Sequence, residues 1–218
     1  MSLANLERSL QELSHGDEAL RRIQEFVQAR TRSERVQLFN APGALVRFPI
    51  RYADAVTQGV IAATEDEFVL LQGDIIRTDA AYQLGERLVG RRYAIANSTC
   101  DLVAGRREYI ILLPLHPILR TEPTAKAQLG ELLSFRSNRR MYLPPLADDG
   151  PEVVGNALVF DGVAGARMED VLFAERLASL SLVGWRIFGS HLRGVLTRAG
   201  ESEVALRRAF AGETENNP

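Results

Sequence analysis

Residues 72–117 read QGDIIRTDAAYQLGERLVGRRYAIANSTCDLVAGRREYIILLPLHP. Three apolar runs stand in this stretch, at residues 74–76, 93–96 and 109–115. Glycines and a polar turn, Gly105-Arg106-Arg107, separate them. Short β-rich runs with glycine between them and no helical period predict sequential antiparallel strands. Polar and basic residues collect at the ends of these runs, so we expect a functional site there.

The amino-acid composition excludes several classes of protein. The formal net charge of −2 gives no attraction of the whole surface for nucleic acid, so any such binding needs a local patch. All the basic residues except Lys126 are arginine, whose planar guanidinium suits phosphate. The single cysteine, Cys100, excludes an intramolecular disulfide and a cysteine-rich zinc module. The first residues lack the apolar core of a signal peptide, and no run reaches the ~20 apolar residues of a membrane span. We therefore expect a cytoplasmic protein with no membrane partner.

Before the central stretch, residues 3–31 predict two helices with a break at residues 14–17. Leu6, Leu13, Leu20 and Val27 lie seven residues apart and form one apolar stripe. The pattern predicts a helical hairpin that packs either on its own domain or on a partner in a homodimer. Residues 44–50, 59–64 and 68–71 then predict strands.

After the central stretch, prolines argue against a long element over residues 117–151. Residues 125–135 predict a short helix, 141–143 an edge strand and 153–160 a further strand. Residues 168–180 are compatible with either helix or strand. Ser181 predicts the start of a helix in which Gly184, Gly189 and Gly194 indicate close packing against another element. A last helix over 201–210 and a disordered tail over 212–218 complete the prediction.

The central stretch resembles the MazF/PemK-like family of toxin-like proteins. Its GDI strand, glycine loop and arginine-led strand ending in serine follow the family order, and a Pro-apolar strand end comes next. The matching residues are Gly73-Asp74-Ile75, Gly85, Gly90-Arg91-Arg92, Ala94–Ser98 and Pro114-Leu115. Residues 153–198 match weakly, and residues 1–60 are not accounted for. The QGDI, Ser-x-Cys-Asp and Tyr-Leu-Pro-Pro motifs also resemble a group of uncharacterised bacterial proteins.

The resemblance implies a small SH3-like, curved antiparallel β-barrel. Together with the helices predicted at both ends of the chain, it leads us to expect an α+β fold. We divide the chain into an N-terminal helical extension (1–35), a barrel core (36–180), C-terminal helices packed on the barrel (181–211) and a tail (212–218). Two departures from the family pattern bear on activity. Tyr93 stands where the family has proline, and His116 stands where it has threonine.

The family cleaves single-stranded RNA without metal, and the resemblance implies a catalytic pair of Arg92 and His116. An arginine suits the charge that builds up on phosphate, and a histidine can act as acid or base near neutral pH. The simpler alternative is a solvated Arg91-Arg92 turn with an ordinary loop histidine. A second catalytic candidate is Cys100 with Asp101, which would need a nearby base; a packed cysteine and an Asx-turn explain the same residues.

A basic surface for single-stranded RNA is the third candidate. Its residues are Arg91, Arg106, Arg107, Arg136, Arg139, Arg140 and Tyr142. The alternative is that these arginines are ordinary turn residues. No glycine-rich phosphate loop is present, and no cofactor or metal is expected.

Two classes of function stay open at this level. The departures at Tyr93 and His116 favour a non-catalytic binding or regulatory protein that keeps the barrel and binds a protein, such as an antitoxin, or nucleic acid. The alternatives are a toxin-like, metal-independent endoribonuclease and a cysteine-dependent hydrolase.

Overall fold

The computed structural model describes residues 2–64, 67–103 and 105–196. These residues form a mixed α+β structure with seven α-helices, one 3₁₀ helix at Thr99–Leu102 and ten strands. The helices are α1 (Leu3–Gln11), α2 (Asp17–Gln28), α3 (Arg32–Phe39), α4 (Tyr52–Thr57), α5 (Ala125–Leu132), α6 (Met168–Val171) and α7 (Leu182–Leu196). The strands are β1 (Val46–Arg47), β2 (Ile75–Thr78), β3 (Ala81–Gln83), β4 (Glu86–Leu88), β5 (Arg91–Ile95), β6 (Tyr109–Leu119), β7 (Arg140–Leu143), β8 (Val153–Val159), β9 (Ala164–Arg167) and β10 (Glu175–Leu180). The helix and tail predicted over 201–218 lie outside the described residues.

The strands form one sheet in the order β1-β10-β2-β5-β6-β9-β3-β4. The long strand β6 also pairs with β8, which pairs with β7. Every pairing in the described part of the chain is antiparallel. The end strands β1 and β4 do not pair with each other, so the sheet is open. The predicted α+β class and antiparallel sheet are confirmed, whereas a closed barrel is not.

The central stretch forms antiparallel strands, as predicted; β2, β5 and β6 are neighbours in the middle of the sheet, and β3 and β4 lie at one edge. Alternate residues of β5 pack into two separate apolar clusters: Ala94 joins one, and Tyr93 and Ile95 join the other. Because both faces of the strand are buried, the sequence there is continuously apolar rather than alternating. Gly73 precedes β2 with φ of 82°, and a β-carbon on it would lie 2.4 Å from the Leu180 side chain. Only glycine meets both conditions.

The N-terminal hairpin is confirmed, and it packs on its own chain. Helices α1 and α2 both contact α7. The apolar stripe is buried within the protein: Leu6 and Val27 are fully buried, and Leu13 and Leu20 pack against the same core. The break after α1 falls at the residues that the sequence indicated. No apolar stripe of this hairpin is therefore left to pair with a second copy in the way a coiled coil would.

The prediction of strands between residues 36 and 71 was wrong apart from two residues. A capping box between Thr31 and Glu34 starts helix α3, which continues to Phe39. The alternating segment 44–50 pairs only at Val46–Arg47, because Pro49 has no backbone N–H to continue the ladder. Helix α4 occupies much of the remainder, and 59–64 and 68–71 form no strand among their described residues.

Farther along the chain, most predicted elements are present. Helix α5 and strands β7 and β8 match their predictions, and β7 is an edge strand that pairs only with β8. The ambiguous segment 168–180 contains both a short helix, α6, and a strand, β10. Ser181 accepts a hydrogen bond from the Gly184 backbone N–H at 3.1 Å, which confirms it as the start of α7.

Candidate functional site

The guanidinium of Arg92 is held by groups from a distant loop and strand. Its Nη1 donates to Asp149 Oδ1 at 2.7 Å, and its Nη2 donates to Asn156 Oδ1 at 3.0 Å. Asp149 Oδ2 in turn accepts from Asn156 Nδ2 at 2.8 Å and from the Leu146 backbone N–H at 2.7 Å. The side chains of Arg92 and Asp149 are only 11% and 4% exposed. The cation that the family resemblance assigns to a phosphate is therefore enclosed and neutralised.

A more exposed ring of charge surrounds this cluster. Arg77 forms ion pairs with Glu175, at 2.6 Å, and with Asp148. Asp148 also lies 3.5 Å from Arg92 Nη1. The loop that carries Asp148 and Asp149 follows the Tyr-Leu-Pro-Pro motif, whose Pro144 carbonyl accepts from Asn156 Nδ2 at 3.1 Å. The loop that follows the Tyr-Leu-Pro-Pro motif therefore contacts the side chain of Arg92 and helps to enclose it.

His116 lies on the opposite face of the sheet from Arg92. In the register of β5 and β6, Arg92 pairs with Leu115, so the next residue, His116, points the other way. Continued by one step, the same register places His116 beside Arg91. Partial burial and the Arg91 charge lower the pKa of His116, so its imidazole is neutral at pH 7. The structure therefore brings His116 to Arg91 and separates it from Arg92.

Cys100 and Asp101 lie in the 3₁₀ helix between β5 and β6. The Cys100 side chain is exposed, and Asp101 Oδ1 accepts from Arg107 Nε at 3.1 Å. His116 is seven residues beyond the start of β6, which is roughly 20 Å along the strand. Among the contacts of the described residues, none joins a histidine to Cys100. The thiol has no base positioned beside it.

Apart from Arg91, which begins β5, the arginines of the predicted RNA surface fall into two groups. Arg106 and Arg107 lie before β6, where the Cys100 carbonyl accepts from Arg106 Nη1 at 2.8 Å. Arg136 and Arg139 lie between α5 and β7, and Arg140, the first residue of β7, pairs with Glu131 at 3.2 Å. The β-sheet register puts the second group about 20 Å from the first. These arginines do not form one continuous surface.

Tyr142 does not fit the stacking role that the sequence analysis gave it. Its ring is 1% exposed, and its hydroxyl donates to Asn40 Oδ1. Burial raises the pKa of Tyr142, whereas the hydrogen bond to Asn40 opposes the shift. The side chain links β7 to the end of α3 and presents no ring face to a ligand.

A second buried polar cluster forms around Asp74 of the QGD motif. Asp74 is fully buried; its Oδ1 accepts from Ser179 Oγ at 2.6 Å, and its Oδ2 lies 2.7 Å from Arg176 Nη2. Burial raises the pKa of Asp74, although the Arg176 charge opposes this shift. Gln72 accepts from Trp185 Nε1 at 3.1 Å and donates to the Ala96 carbonyl at 3.0 Å. A cavity of about 250 Å³ adjoins the cluster. The QGD motif thereby connects β2, β10 and α7.

Sequence reasoning missed the partners that enclose Arg92. A signal for one of them was present, because Asn156 is a lone amide within the apolar run VVGNALVF. A polar residue buried in a strand must find hydrogen-bond partners, so it marks a polar contact inside the fold. Asp148 and Asp149 carried no such signal, since acidic residues beside Gly150 are typical of an ordinary turn.

Over the described ranges 2–64, 67–103 and 105–196, no group of three or more His, Cys, Asp or Glu side chains is arranged to hold a metal ion. No helix within those ranges has both the length and the apolar character to cross a membrane. No protein-family model matches the chain, and a search of curated proteins finds no significant match. The sequence motifs and the geometry therefore carry the functional argument.

Proposed function

We propose that this chain is a non-catalytic binding or regulatory protein built on a sheet related to the MazF/PemK-like barrel. One observation carries the proposal: Arg92 is enclosed by Asp149 and Asn156, on the face opposite His116. A phosphate approaching Arg92 would have to displace a carboxylate that is already hydrogen-bonded and nearly buried. A reaction that needs both groups at one phosphate lacks that arrangement here.

The surface that best supports binding lies where β3, β9 and β6 run side by side. Tyr82 is opposite Gly165, and Gly165 is opposite Ile111, so Tyr82 and Ile111 flank a strip without side chains. Tyr82 and Tyr109 are 51% and 59% exposed. Exposed rings beside arginines are the combination that stacks bases and holds the phosphates of single-stranded nucleic acid. Arg106 and Arg107 lie in the turn just before Tyr109, so single-stranded RNA is the first partner to test.

The experiment uses the full chain with a fluorescent, mixed-sequence single-stranded RNA in EDTA and low salt. Anisotropy measures binding, and denaturing gels measure cutting. We expect binding without cutting, and binding about tenfold weaker in Tyr82→Ala or Tyr109→Ala, as expected for the loss of one stacked base. Phe48→Ala is the matched control, because Phe48 is also exposed, at 88%, but lies beside β1. Tyrosine variants that bind as well as the wild type would reject this surface.

A second candidate, the metal-independent endoribonuclease, has one observation in its favour. His116 neighbours Arg91 on an exposed face, so a neutral base and a cation stand together there. In the same assay, cutting that disappears in both His116→Ala and Arg91→Ala but persists in Arg92→Ala would establish this reaction and overturn the non-catalytic proposal. If RNA is neither cut nor bound, the next step is to look for a protein partner.

A further inference from the structure

A cavity of about 900 Å³ lies where the N-terminal hairpin, the second half of α7 and two sheet loops meet. The α1–α2 connection and the first residues of α2 form one wall, and the last turns of α7 form another. Asn138 and Arg139, before β7, and Asp161, after β8, complete the lining. The described part of the chain ends at Leu196, one residue beyond the α7 wall. The cavity therefore lies beside the point from which residues 197–218 continue.

Three apolar side chains in this lining are not fully covered by the described residues. Leu13 and Leu20 are only partly buried, although they belong to the apolar stripe of the hairpin. Val195 is 38% exposed, and a β-carbon added to the neighbouring Gly194 would meet nothing within 4 Å. Removal of apolar surface from water is favourable, so these walls favour an occupant that brings apolar side chains of its own.

Charges of both signs surround these apolar side chains. The acidic residues are Asp17 and Glu18, in the first turn of α2, and Asp161; the basic residues are Arg139 and Arg193. A lining that mixes apolar, acidic and basic side chains does not select a small ion of either charge. It matches an amphipathic peptide that carries both signs, because each charged group can then meet an opposite charge.

The sequence that follows α7 has this composition. Residues 201–210 read ESEVALRRAF, and the sequence analysis predicts a helix there. At 3.6 residues per turn, Leu206 and Phe210 fall on one side of such a helix, whereas Val204 falls on the opposite side. Two glutamates and two arginines supply charges of both signs. The segment is thus an amphipathic peptide of the kind that the cavity lining matches.

We propose that residues 201–210 of the same chain dock into this cavity, with Leu206 and Phe210 packed on its two leucines and its valine. The two arginines of the segment then face the acidic residues of the α2 wall. Four residues, 197–200, join the segment to α7, a length typical of the turn between two antiparallel helices. So short a tether gives the segment a high effective concentration at the cavity. Docked in this way, the segment is a strap across the hairpin, α7 and the sheet loops. The inference goes beyond RNA or protein binding and does not depend on it.

The test places a paramagnetic label on the full chain. Cys100→Ser removes the single native thiol, and Ala211→Cys introduces one just beyond the segment, to which a nitroxide is attached. The methyl signals of Leu13, Leu20 and Val195 are recorded by NMR before and after reduction of the nitroxide. We expect these signals to be broadened beyond detection in the oxidised sample and to return on reduction. A mixture of nitroxide-labelled chains and separate isotope-labelled chains should show no such loss, because the docking is intramolecular.

Substitutions within the segment decide which side chains hold it. Leu206→Ser and Phe210→Ser should each restore most of the lost signal, because each removes an apolar contact with the cavity. Val204→Ser is the matched control: it makes the segment less apolar on the side away from the cavity, and the signals should stay broadened. Methyl signals that the nitroxide leaves unchanged overturn the inference. So does a loss that persists in Leu206→Ser and Phe210→Ser, or one that appears in the mixture, which would assign the contact to a second copy. Because RNA is absent from this experiment, its failure is distinguishable from failure of the proposed function.

Discussion

Helix α7 buries polar side chains at both of its ends, but the hydrogen bonding of these side chains differs between the two ends. At the first end, Ser181 donates to the Ala44 carbonyl at 2.8 Å, and Trp185 donates to Gln72 of the QGD motif. At the second end, His191 is as deeply buried, yet its Nε2 has no hydrogen-bond partner among the described residues. Burial of polar groups is thus common to both ends, whereas hydrogen-bond satisfaction is not. Satisfied buried groups rigidify the fold, whereas an unsatisfied one costs free energy because nothing offsets its desolvation.

The largest loss of stability is expected for substitution of Asp74, in the polar cluster beside the first end of α7. Asp74→Ala leaves Arg176, whose side chain is 15% exposed, without its carboxylate partner, and Ser179 loses its acceptor. Breaking a buried ion pair from one side costs about 3–5 kcal/mol. We expect urea unfolding to show a loss of that size, with a smaller loss in Asp74→Asn, which keeps the side-chain volume. A loss below about 1 kcal/mol in Asp74→Ala would mean that the cluster contributes little to the fold.

Glycine substitutions compare the packing of the two ends directly. A β-carbon on Gly184 would lie 2.2 Å from the Leu45 carbonyl oxygen, whereas one on Gly194 would meet nothing within 4 Å. Gly184→Ala should therefore destabilise the protein by about 2–3 kcal/mol through overpacking against the backbone. Gly194→Ala should be neutral or stabilising by up to about 1 kcal/mol, because alanine is the better helix former. Equal unfolding midpoints for the two variants would remove the distinction between the ends.

Burial of His191 at the second end of α7 should make the free energy of unfolding depend on pH. The pKa of His191 falls from 6.5 to about 4 on folding, so the unfolded chain binds more protons between these values. Stability is therefore lost as pH falls through that window, by about 2 kcal/mol between pH 7 and pH 5 from this group alone. The raised pKa of Asp74 acts in the opposite sense, so the comparison with His191→Leu isolates the histidine. If His191→Leu shows the same pH dependence as the wild type, His191 is not its source.

The smallest predicted effect concerns the start of α7. Ser181→Ala removes the oxygen that accepts from the Gly184 N–H and the hydroxyl that donates to the Ala44 carbonyl. The loss of a helix cap costs about 1 kcal/mol. Thermal unfolding should show a modest decrease in midpoint, and Ser181→Thr, which retains a hydroxyl, should recover part of it. Full retention of the wild-type midpoint by the alanine variant would show that the cap is dispensable.

Local signals predicted much of the fold. The apolar run at β5, the hydroxyl before α7 and the glycines at 184 and 189 each express a constraint from near neighbours or close packing, and the structure confirms them. Close packing fails only at Gly194, which has no neighbour. The alternation at 44–50 misled because strand formation also needs a continuous ladder with a partner, and Pro49 limits the pairing with β10 to two residues.

The candidate site was less predictable, because it depends on register and on distant partners. The sequence predicted both Arg92 and His116 at strand ends, whereas the structure places His116 within β6. Which face each residue occupies is fixed by the pairing of β5 with β6. One step of register decides whether they converge. Asp149 reaches Arg92 from 57 positions away, and His191 lies 176 positions beyond His15. Nothing in the local sequence indicates such meetings.

The contact between the first two helices and α7 has a consequence for biosynthesis. The Gly16 N–H donates to Ser190 Oγ across 174 positions, and the apolar sides of α1 and α2 are buried largely by α7. During translation, these two helices emerge before the sheet, and the helix that shelters them emerges after it. The leucines of α1 and α2 stay exposed until α7 has been synthesised, so the nascent chain presents an apolar helical surface while the sheet is being made. This architecture gives chaperones a long interval in which to engage the N-terminal hairpin.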